Sequence, residues 1–531
     1  MVDNAGIADR LDAFATLLEL AEANPYTARA YGRAAEVIRG APVPVEGLVR
    51  SGRVRQLRGI GPGIETRLRE LVETGGIAEL ADLERDLSPG LIGLGRFLGI
   101  SARRSIDISR SLGVRTPDEL REAAADGRLR DVPGIGPKIE AQLVDALARD
   151  AAHAPRRALT LDRAWELAGG IATALDGEVA GDPRRWRDAC ERLAVVCADA
   201  GAVERFAALP QIVALVEPTV GVTVEGVPIE LVAADPEHFG TALLRATGSD
   251  AYVAALEPLP DAPDEESVYR ALGIPYLPPE LREAPYRDAP PALVEVADIR
   301  GDLHCHTTWS DGRAGVEEMG RAALERGYEY IAICDHTPAV GAVRGLTPDD
   351  VRRQADEIAA ANAVLAPFRV LRGIECDILP DGRLDLPDDV LAELDWVQAS
   401  VHGGQRMPRS AMTARVVEAL RNPYVRCLSH PTGRLIGRRP ENAVDLERVC
   451  EVALEEGVAL EVNGLAPRLD LSGAHVREAL RAGVPIVCST DAHSVRGLGN
   501  MTLSVRTARR GWATSAEVLN TRPLGPLLAR D

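Results

Sequence analysis

The sequence predicts a multidomain chain with an all-α N-terminal part, an α+β middle segment and a C-terminal α/β barrel. Three observations support this prediction. The 531 residues are too many for a single hydrophobic core. A glycine-rich hairpin pattern occurs twice before residue 140, and after residue 293 strand-like and helix-like runs alternate seven times.

Composition narrows the class of protein. The chain has no run of 18 apolar residues and no signal-like N-terminus, which predicts a soluble, cytoplasmic protein without a membrane partner. The eight cysteines include no Cys-x-x-Cys pair and are expected to be reduced and buried. The net charge of −19 argues against indiscriminate coating of nucleic acid, although residues 49–72 carry six arginines against two glutamates.

The N-terminal part begins with a helical pattern from residue 4 to about 40 and then carries an internal repeat. Segments 57–64 and 132–139 share the core Gly-Ile-Gly-Pro, with helices expected at 45–56 and 63–74 around the first copy and at 117–130 and 137–149 around the second. A third, degraded copy is expected at 94–105.

Each hairpin would leave backbone N–H groups unpaired at the N-terminus of the following helix. Such N–H groups can bind an anion. The expected anion is a DNA phosphate, and a plain structural hairpin of helices is the alternative. The pattern resembles the helix-hairpin-helix, a sequence-independent DNA-binding element. Its candidate DNA-binding residues are Gly59, Gly61, Gly63, Gly134, Gly136 and Lys138. Because Lys138 is the only lysine in the chain, a lyase that needs a lysine amine is not expected, unless the N-terminal amine serves.

The middle segment has strand patterns at 213–216, 221–224 and 229–233. Together with segments 175–185 and 269–283 it resembles the palm and thumb of a family X DNA polymerase. With the hairpins and the C-terminal part, the whole chain resembles the bacterial family X polymerase with a fused PHP (polymerase and histidinol phosphatase) domain. The resemblance implies a helical DNA-binding domain at 1–88, a fingers-like helix-hairpin-helix domain at 89–155, a palm and thumb at 156–290 and a distorted (β/α)7 PHP barrel at 295–531.

The palm departs from its family at the polymerase site. Two-metal nucleotidyl transfer needs carboxylates two residues apart on one strand and a third carboxylate on a neighbouring strand. When segment 180–185 is aligned with the family's Gly-Ser-x-Arg-Arg motif, Arg192 and Ala194 fall at the paired aspartates and Glu230 at the third. We therefore expect polymerase activity to be lost, with an active gap-filling polymerase as the alternative.

Metal-binding residue types stand at the ends of the predicted barrel strands. These strands are 302–305, 330–334, 369–374, 396–401, 425–429, 458–462 and 485–490, and all except the sixth, which ends at Asn463, lead into a histidine or a carboxylate. Strand C-termini meet at one mouth of an α/β barrel, so these side chains predict a multinuclear metal site. Of the nine histidines, His153, His238 and His475 lie elsewhere and are expected on the surface.

All nine positions of the PHP metal set are matched: His304, His306, Asp311, His336, Glu375, His402, His430, Asp491 and His493. The resemblance implies three divalent ions, zinc or manganese with iron as a further option. The first would take His304, His306, Glu375 and Asp491, the second Glu375, His402 and His430, and the third Asp311, His336 and His493. Glu375, Asp491 and His493 are the candidate catalytic residues, and Arg406, Arg434 and Arg438 are candidate phosphate-binding residues.

The predicted reaction is metal-dependent phosphoester hydrolysis. Fusion to the hairpins favours the 3′ end of DNA as substrate, and thus a 3′-5′ exonuclease or end-trimming role in DNA repair. A small-molecule phosphomonoesterase of the histidinol phosphatase type is the alternative enzyme. A DNA-binding scaffold without activity is the non-enzymatic alternative.

Overall fold

A computed structural model describes residues 4–20, 25–39, 41, 43–57, 59–81, 102–114, 117–137, 139–141, 158–199, 201–209, 211–223, 225–341 and 343–529. The chain forms two compact units. One contains residues 1–157, 171–177 and 191–233, and the other contains residues 158–170, 178–190 and 234–531. Lys138, His153 and most of the expected third hairpin copy lie outside the described residues.

The described N-terminal part is helical, as the sequence predicts. Its helices are Asn4–Leu20, Pro25–Arg39, Val45–Arg50, Pro62–Thr74, Ala102–Leu112 and Pro117–Ala125. The first four pack their apolar faces into one core, which includes Phe14, Ile38 and Leu68. The expected helix 45–56 is shorter than predicted, because the chain turns at Gly52 and resumes as a 3-10 helix at Val54–Gln56.

Both hairpins form the tight turns that the glycines predict. Gly59 and Gly134 have φ values of 97° and 85°, a region that favours residues without a Cβ. Gly61 then begins the helix Pro62–Thr74 without a side-chain cap, and Gly136 accepts the backbone hydrogen bonds of Ile139 and Glu140 at 2.9 and 3.0 Å. Open space surrounds the glycines of both hairpins, so their backbone is accessible.

Seven strands lie in the middle segment: β1 (Leu159–Thr160), β2 (Gly177–Gly181), β3 (Ala189–Cys190), β4 (Leu193–Cys197), β5 (Ile212–Glu217), β6 (Val220–Thr223) and β7 (Pro228–Ala233). The three predicted strands correspond to β5, β6 and β7. Strand β7 pairs in parallel with β4 and antiparallel with β6, which pairs with β5. Two helices lie between these strands in the sequence: Leu161–Leu175 after β1, and Ala202–Ala207 after β4.

Three helices follow the middle strands: Phe239–Thr247, Asp250–Leu256 and Glu265–Leu272. A buried ion cluster holds this region together. The Glu265 carboxylate pairs with Arg282, which is fully buried, and accepts two hydrogen bonds from Arg184 at 2.7 and 2.9 Å. Such a cluster has little exposure to solvent, so removing one partner would leave a desolvated charge.

The C-terminal part is the predicted parallel barrel. Its strands are β8 (Gly301–Cys305), β9 (Tyr330–Ile333), β10 (Arg369–Asp377), β11 (Trp396–Ser400), β12 (Cys427–Leu428), β13 (Ala459–Asn463) and β14 (Ile486–Ser489). They pair in chain order, and a parallel bridge between Cys305 and Ala492 brings the two edge strands together.

Helices cover the outside of the barrel: Val316–Glu325, Pro348–Leu365, Asp388–Leu391, Arg409–Leu420, Leu446–Glu456, Gly473–Arg481 and Met501–Arg510. A side-chain hydroxyl or carboxylate caps the start of three of them, at Thr347, Asp445 and Ser472. Apolar residues of all seven strands form a separate inner core with Leu527 of the last helix, Leu524–Leu528. The inner core leaves the strand C-termini available for polar residues.

Two predictions from composition concern the described residues only. All eight cysteines lie among them, and each is buried and unpaired, as predicted. None of the described helices combines the length and the apolar character that crossing a bilayer requires.

Candidate metal centre

Nine histidine, aspartate and glutamate side chains converge at the C-terminal ends of the barrel strands. His304 and Glu375 lie within β8 and β10, and the others follow β8, β9, β11, β12 and β14. A register shift in β8 between Asp302 and Cys305 helps to turn His304 inward, because such irregularities re-aim side chains. His304, His306, Glu375 and Asp491 are at most 4 % exposed.

The first group of ligand atoms encloses a space that suits one ion. Nε2 of His304 and Nε2 of His306 are 3.1 Å apart. A Glu375 oxygen lies 3.4 and 3.6 Å from these atoms, and an Asp491 oxygen lies 3.9 and 3.2 Å from them. Tetrahedral zinc with its usual bond lengths separates its ligand atoms by about 3.3 Å. The residues therefore fit a small divalent cation.

Glu375 also connects a second group. Its Oε1 lies 2.8 Å from Nε2 of His430 and 3.5 Å from Nε2 of His402, and its Oε2 lies 2.9 Å from Nδ1 of His336. Together with His304 and His306 of the first group, five imidazoles therefore lie within 3.6 Å of this carboxylate. An anion at this position offsets the repulsion between neighbouring cations.

Asp311 forms the third group on the loop after β8. Its oxygens lie 3.2 Å from Nε2 of His493, 3.7 Å from Nε2 of His336 and 3.8 Å from Nδ1 of His306. His336, assigned by resemblance to this group alone, also reaches Glu375. His306, assigned to the first group alone, also reaches Asp311, so the structure shares both imidazoles between groups.

The protonation states of Glu375 and His306 favour metal binding. Burial opposes ionisation of Glu375, but the imidazoles of His402, His304 and His336 lower its pKa well below the ordinary value. Burial, His493 and His336 together lower the pKa of His306 to about 4. The carboxylate is then ionised and His306 is neutral at pH 7, which are the forms that bind metals.

Unpaired nitrogens and strained backbone also indicate a ligand. Nδ1 of His306, which faces Asp311, and Nδ1 of His336, which faces Glu375, are buried without a hydrogen-bond partner, which is costly unless a cation binds there. His430 and Asp491 have φ values of 27° and 53°. Such positive angles are rare for side-chain-bearing residues and cluster at functional sites.

Two carboxylates that the sequence analysis did not single out orient the imidazoles. Glu461 on β13 is fully buried and accepts a hydrogen bond from Nδ1 of His304 at 2.7 Å. Asp377 on β10 lies 3.2 Å from Nδ1 of His402. A carboxylate on the far nitrogen fixes the ring and its tautomer. The sixth strand thus contributes to the site, and Glu461 could have been found as the residue that shares the inward face with Asn463.

An arginine that the sequence analysis missed lines the cavity over the metal ligands. The cavity has a volume of about 230 Å³ and is bordered by Val340, Val343, Leu465 and Arg468. Nε of Arg468 is buried, lacks a hydrogen-bond partner and lies 3.7 Å from Oδ2 of Asp491. Its cationic group suits a phosphoryl oxygen.

The three predicted phosphate-binding arginines lie elsewhere. Arg406 and Arg438 are exposed, and neither borders this cavity. Arg434 directs its guanidinium to the carbonyl oxygens of Arg468 and Leu469 and to Asp188. A phosphate-binding role for Arg406 and Arg438 stays a prediction.

Of the predicted polymerase positions, Ala194 and Glu230 lie on neighbouring strands. Arg192 immediately precedes β4, and Ala194 is directly opposite Glu230 of β7. Ala194 is fully buried, whereas Glu230 is exposed. Among the residues that the structure describes, the three groups able to hold a metal all lie in the barrel.

Comparisons with known families agree with this arrangement. Residues 2–77 match a helix-hairpin-helix domain, residues 94–149 match a SAM-like helix-hairpin-helix tandem, and residues 302–463 match the PHP domain. The fold and the site therefore define a protein that joins helix-hairpin-helix domains to a PHP barrel with a metal-ligand cluster.

Relatives extend the match over the whole chain. The chain is 33% identical to the DNA polymerase/3'-5' exonuclease PolX of Bacillus subtilis, over 97% of its own length and 96% of that protein. It is also 33% identical to a probable phosphatase of Acetivibrio thermocellus, over 36% of its own length and 78% of that protein. A probable phosphatase of a Thermoanaerobacter species is 28% identical over 41% of this chain and 89% of its own. The chain belongs to the bacterial PolX family.

Proposed function

We propose that the barrel is a metal-dependent phosphoesterase that removes nucleotides from the 3′ ends of DNA. The observation that carries the proposal is the convergence of nine ligand side chains on ion-sized spaces, with Arg468 above them. The similarity to a 3′-5′ exonuclease along nearly the whole chain supports DNA as the substrate. The exposed backbone of the two hairpins would hold the DNA phosphates.

His304, His306, Glu375 and Asp491 would hold one ion, and the remaining ligands would hold two more. Bound divalent ions act as Lewis acids, and they lower the pKa of a coordinated water to a value near neutrality. Glu461 and Asp377 keep the imidazoles of His304 and His402 in the ligating orientation. Arg468 would contact a non-bridging phosphoryl oxygen, and the apolar rim residues Val340 and Leu465 would limit access of bulk water.

A hydrolysis assay tests the proposal. Metal-loaded protein is incubated with 5′-labelled DNA, and stepwise shortening from the 3′ end is the expected result. His304→Ala should abolish it, whereas His238→Ala, a matched histidine change at an exposed residue bound to Asp235, should not. Activity that survives His304→Ala would refute the proposal.

A small-molecule phosphomonoesterase is the second candidate. The two probable phosphatases match 36% and 41% of this chain and most of their own length, so they are much shorter than it and are named for phosphatase activity alone. A cavity of about 230 Å³ suits a small phosphate ester. Release of free phosphate from small esters, with DNA left intact, would favour this function. Inertness toward both substrates would favour a DNA-binding scaffold.

We further propose that the middle segment has lost polymerase activity. Arg192 would repel the cations that paired carboxylates bind, and Ala194 offers no ligand atom. Primer extension with magnesium and manganese tests this. Template-directed products at ordinary protein concentrations would show an active polymerase.

A further inference from the structure

The loop between β13 and helix Gly473–Arg481 carries Arg468 to the metal-site cavity, and Arg434 holds this loop from outside. Nε of Arg434 donates to the carbonyl oxygen of Arg468 at 3.0 Å, and its Nη2 donates to the carbonyl oxygen of Leu469. Leu469 has a φ of 40°, so the loop needs support at this point. Arg434 therefore binds the two peptide groups that flank the α-carbon of Leu469.

Asp188 in turn anchors Arg434. Its Oδ2 lies 2.7 Å from Nη1 of Arg434, and the two side chains are 28% and 12% exposed. Asp188 ends the loop 182–188, which contains the arginines aligned with the family's polymerase motif. This loop is itself held by the barrel helix Met501–Arg510. Arg510 donates to the carbonyl oxygen of Arg185 at 2.7 Å, and the guanidinium of Arg506 lies 5.2 Å from the centre of the Trp186 ring.

We propose that Asp188, through Arg434, is a positioning residue that holds Arg468 over the phosphoester site. This inference rests on the proposed phosphoesterase function and gives the polymerase-like loop a task in it. Asp188 touches no metal ligand, and its effect passes through the backbone at 468 and 469. The loop that no longer serves polymerisation thus supports hydrolysis.

Removing the Asp188 charge should act on phosphate binding and leave the ions in place. Arg434 would lose its only close carboxylate within the described residues, because the next one, Glu441, is 4.0 Å away. A largely buried guanidinium that loses its partner carries an uncompensated charge, so Arg434 should shift toward water and its hydrogen bonds to the 468–469 backbone should weaken. A misplaced Arg468 should then raise KM by about tenfold.

The experiment compares full-length, metal-loaded Asp188→Asn, Asp188→Glu and Glu441→Gln variants in wild-type and Arg468→Ala backgrounds. We measure the kinetics of hydrolysis at the 3′ end of DNA, the metal content, and the binding of inorganic phosphate by calorimetry. In the wild-type background Asp188→Asn should raise KM and weaken phosphate binding, with kcat and metal content unchanged. Asp188→Glu should restore most of the loss, and Glu441→Gln should have no effect.

The Arg468→Ala background separates positioning from a general structural role. There Asp188→Asn should add nothing, since the residue it positions is gone. An equal KM increase in both backgrounds, or loss of metal, would overturn the inference. An active wild type that is insensitive to Asp188→Asn would overturn this inference alone, whereas inertness toward all phosphate esters would overturn the proposed function. In that second case phosphate binding still decides the role of Asp188.

Discussion

Replacing Glu461 by glutamine should weaken metal binding without removing any ligand. The carboxylate is fully buried and accepts hydrogen bonds from Nδ1 of His304 at 2.7 Å and from the His430 backbone N–H at 2.6 Å. Burial raises its pKa, but His304 outweighs this and lowers it to about 2. Glutamine keeps the shape but loses the charge-assisted bond. A loss of about 2 kcal/mol corresponds to a metal affinity roughly 10- to 100-fold lower.

Competition with a fluorescent chelator measures this affinity, and circular dichroism at 25 °C checks the fold. Glu280→Gln is the matched control, because Glu280 is a buried carboxylate whose side-chain partners are Arg506 and Arg509 and not an imidazole. It should lower stability and leave metal affinity near the wild-type value. Equal affinities of Glu461→Gln and wild type, or equal losses in both variants, would refute the reasoning.

Glu265→Gln should destabilise the full chain by about 3–5 kcal/mol at pH 7 in urea titrations, since it leaves Arg282 buried and unpaired. Burial raises the pKa of Glu265, but Arg282 and Arg184 lower it from 4.5 to about 2, so the difference from wild type should be full above pH 4.5 and shrink as the pH falls toward 2. Removal of metal by a chelator should lower the unfolding temperature and abolish hydrolysis, both reversed by zinc or manganese. Arg468→Ala should raise KM about tenfold or more, while the same change at Arg321, an exposed residue on an outer helix paired with Glu317, should leave KM unchanged.

Sequence patterns were sufficient to locate the barrel and to bring the nine ligand positions to one mouth. The His-x-His spacing predicts that His304 and His306 point the same way, and their nitrogens are 3.1 Å apart. Strand order does the rest, because parallel strands in chain order carry their C-terminal residues to one end. The direction of a side chain along a strand and the common end of parallel strands both follow from backbone geometry, and the periodicity of the sequence predicts that geometry.

The periodicity of the sequence does not predict where side chains point in the loops beyond the strand ends. Arg434 follows His430 closely in sequence, yet its guanidinium turns to Asp188, some 250 residues earlier in the chain. Arg468 lies five residues beyond the sixth strand, on a loop that Arg434 holds through the carbonyl oxygen of Arg468, so strand periodicity does not predict its position. Glu461 lies inside its strand, two residues before the strand end, where a sequence pattern does not distinguish a buried polar residue at the site from one elsewhere. Contacts between distant segments decided all three cases.

If polymerase activity is lost, as we propose, the loop 182–188 of the middle segment would still have a structural role. Arg184 is committed to Glu265 by two hydrogen bonds at 2.7 and 2.9 Å, and Arg185 donates to the carbonyl oxygen of Thr247 at 2.6 Å. If these arginines were to bind the phosphates of a nucleotide, the chain would first have to break these largely buried interactions, at a cost of about 3–5 kcal/mol for the ion pair alone. The absence of paired carboxylates at Arg192 and Ala194 removes any compensating gain from bound metal. The physical balance therefore favours the loop as a support for the barrel over the loop as a nucleotide site.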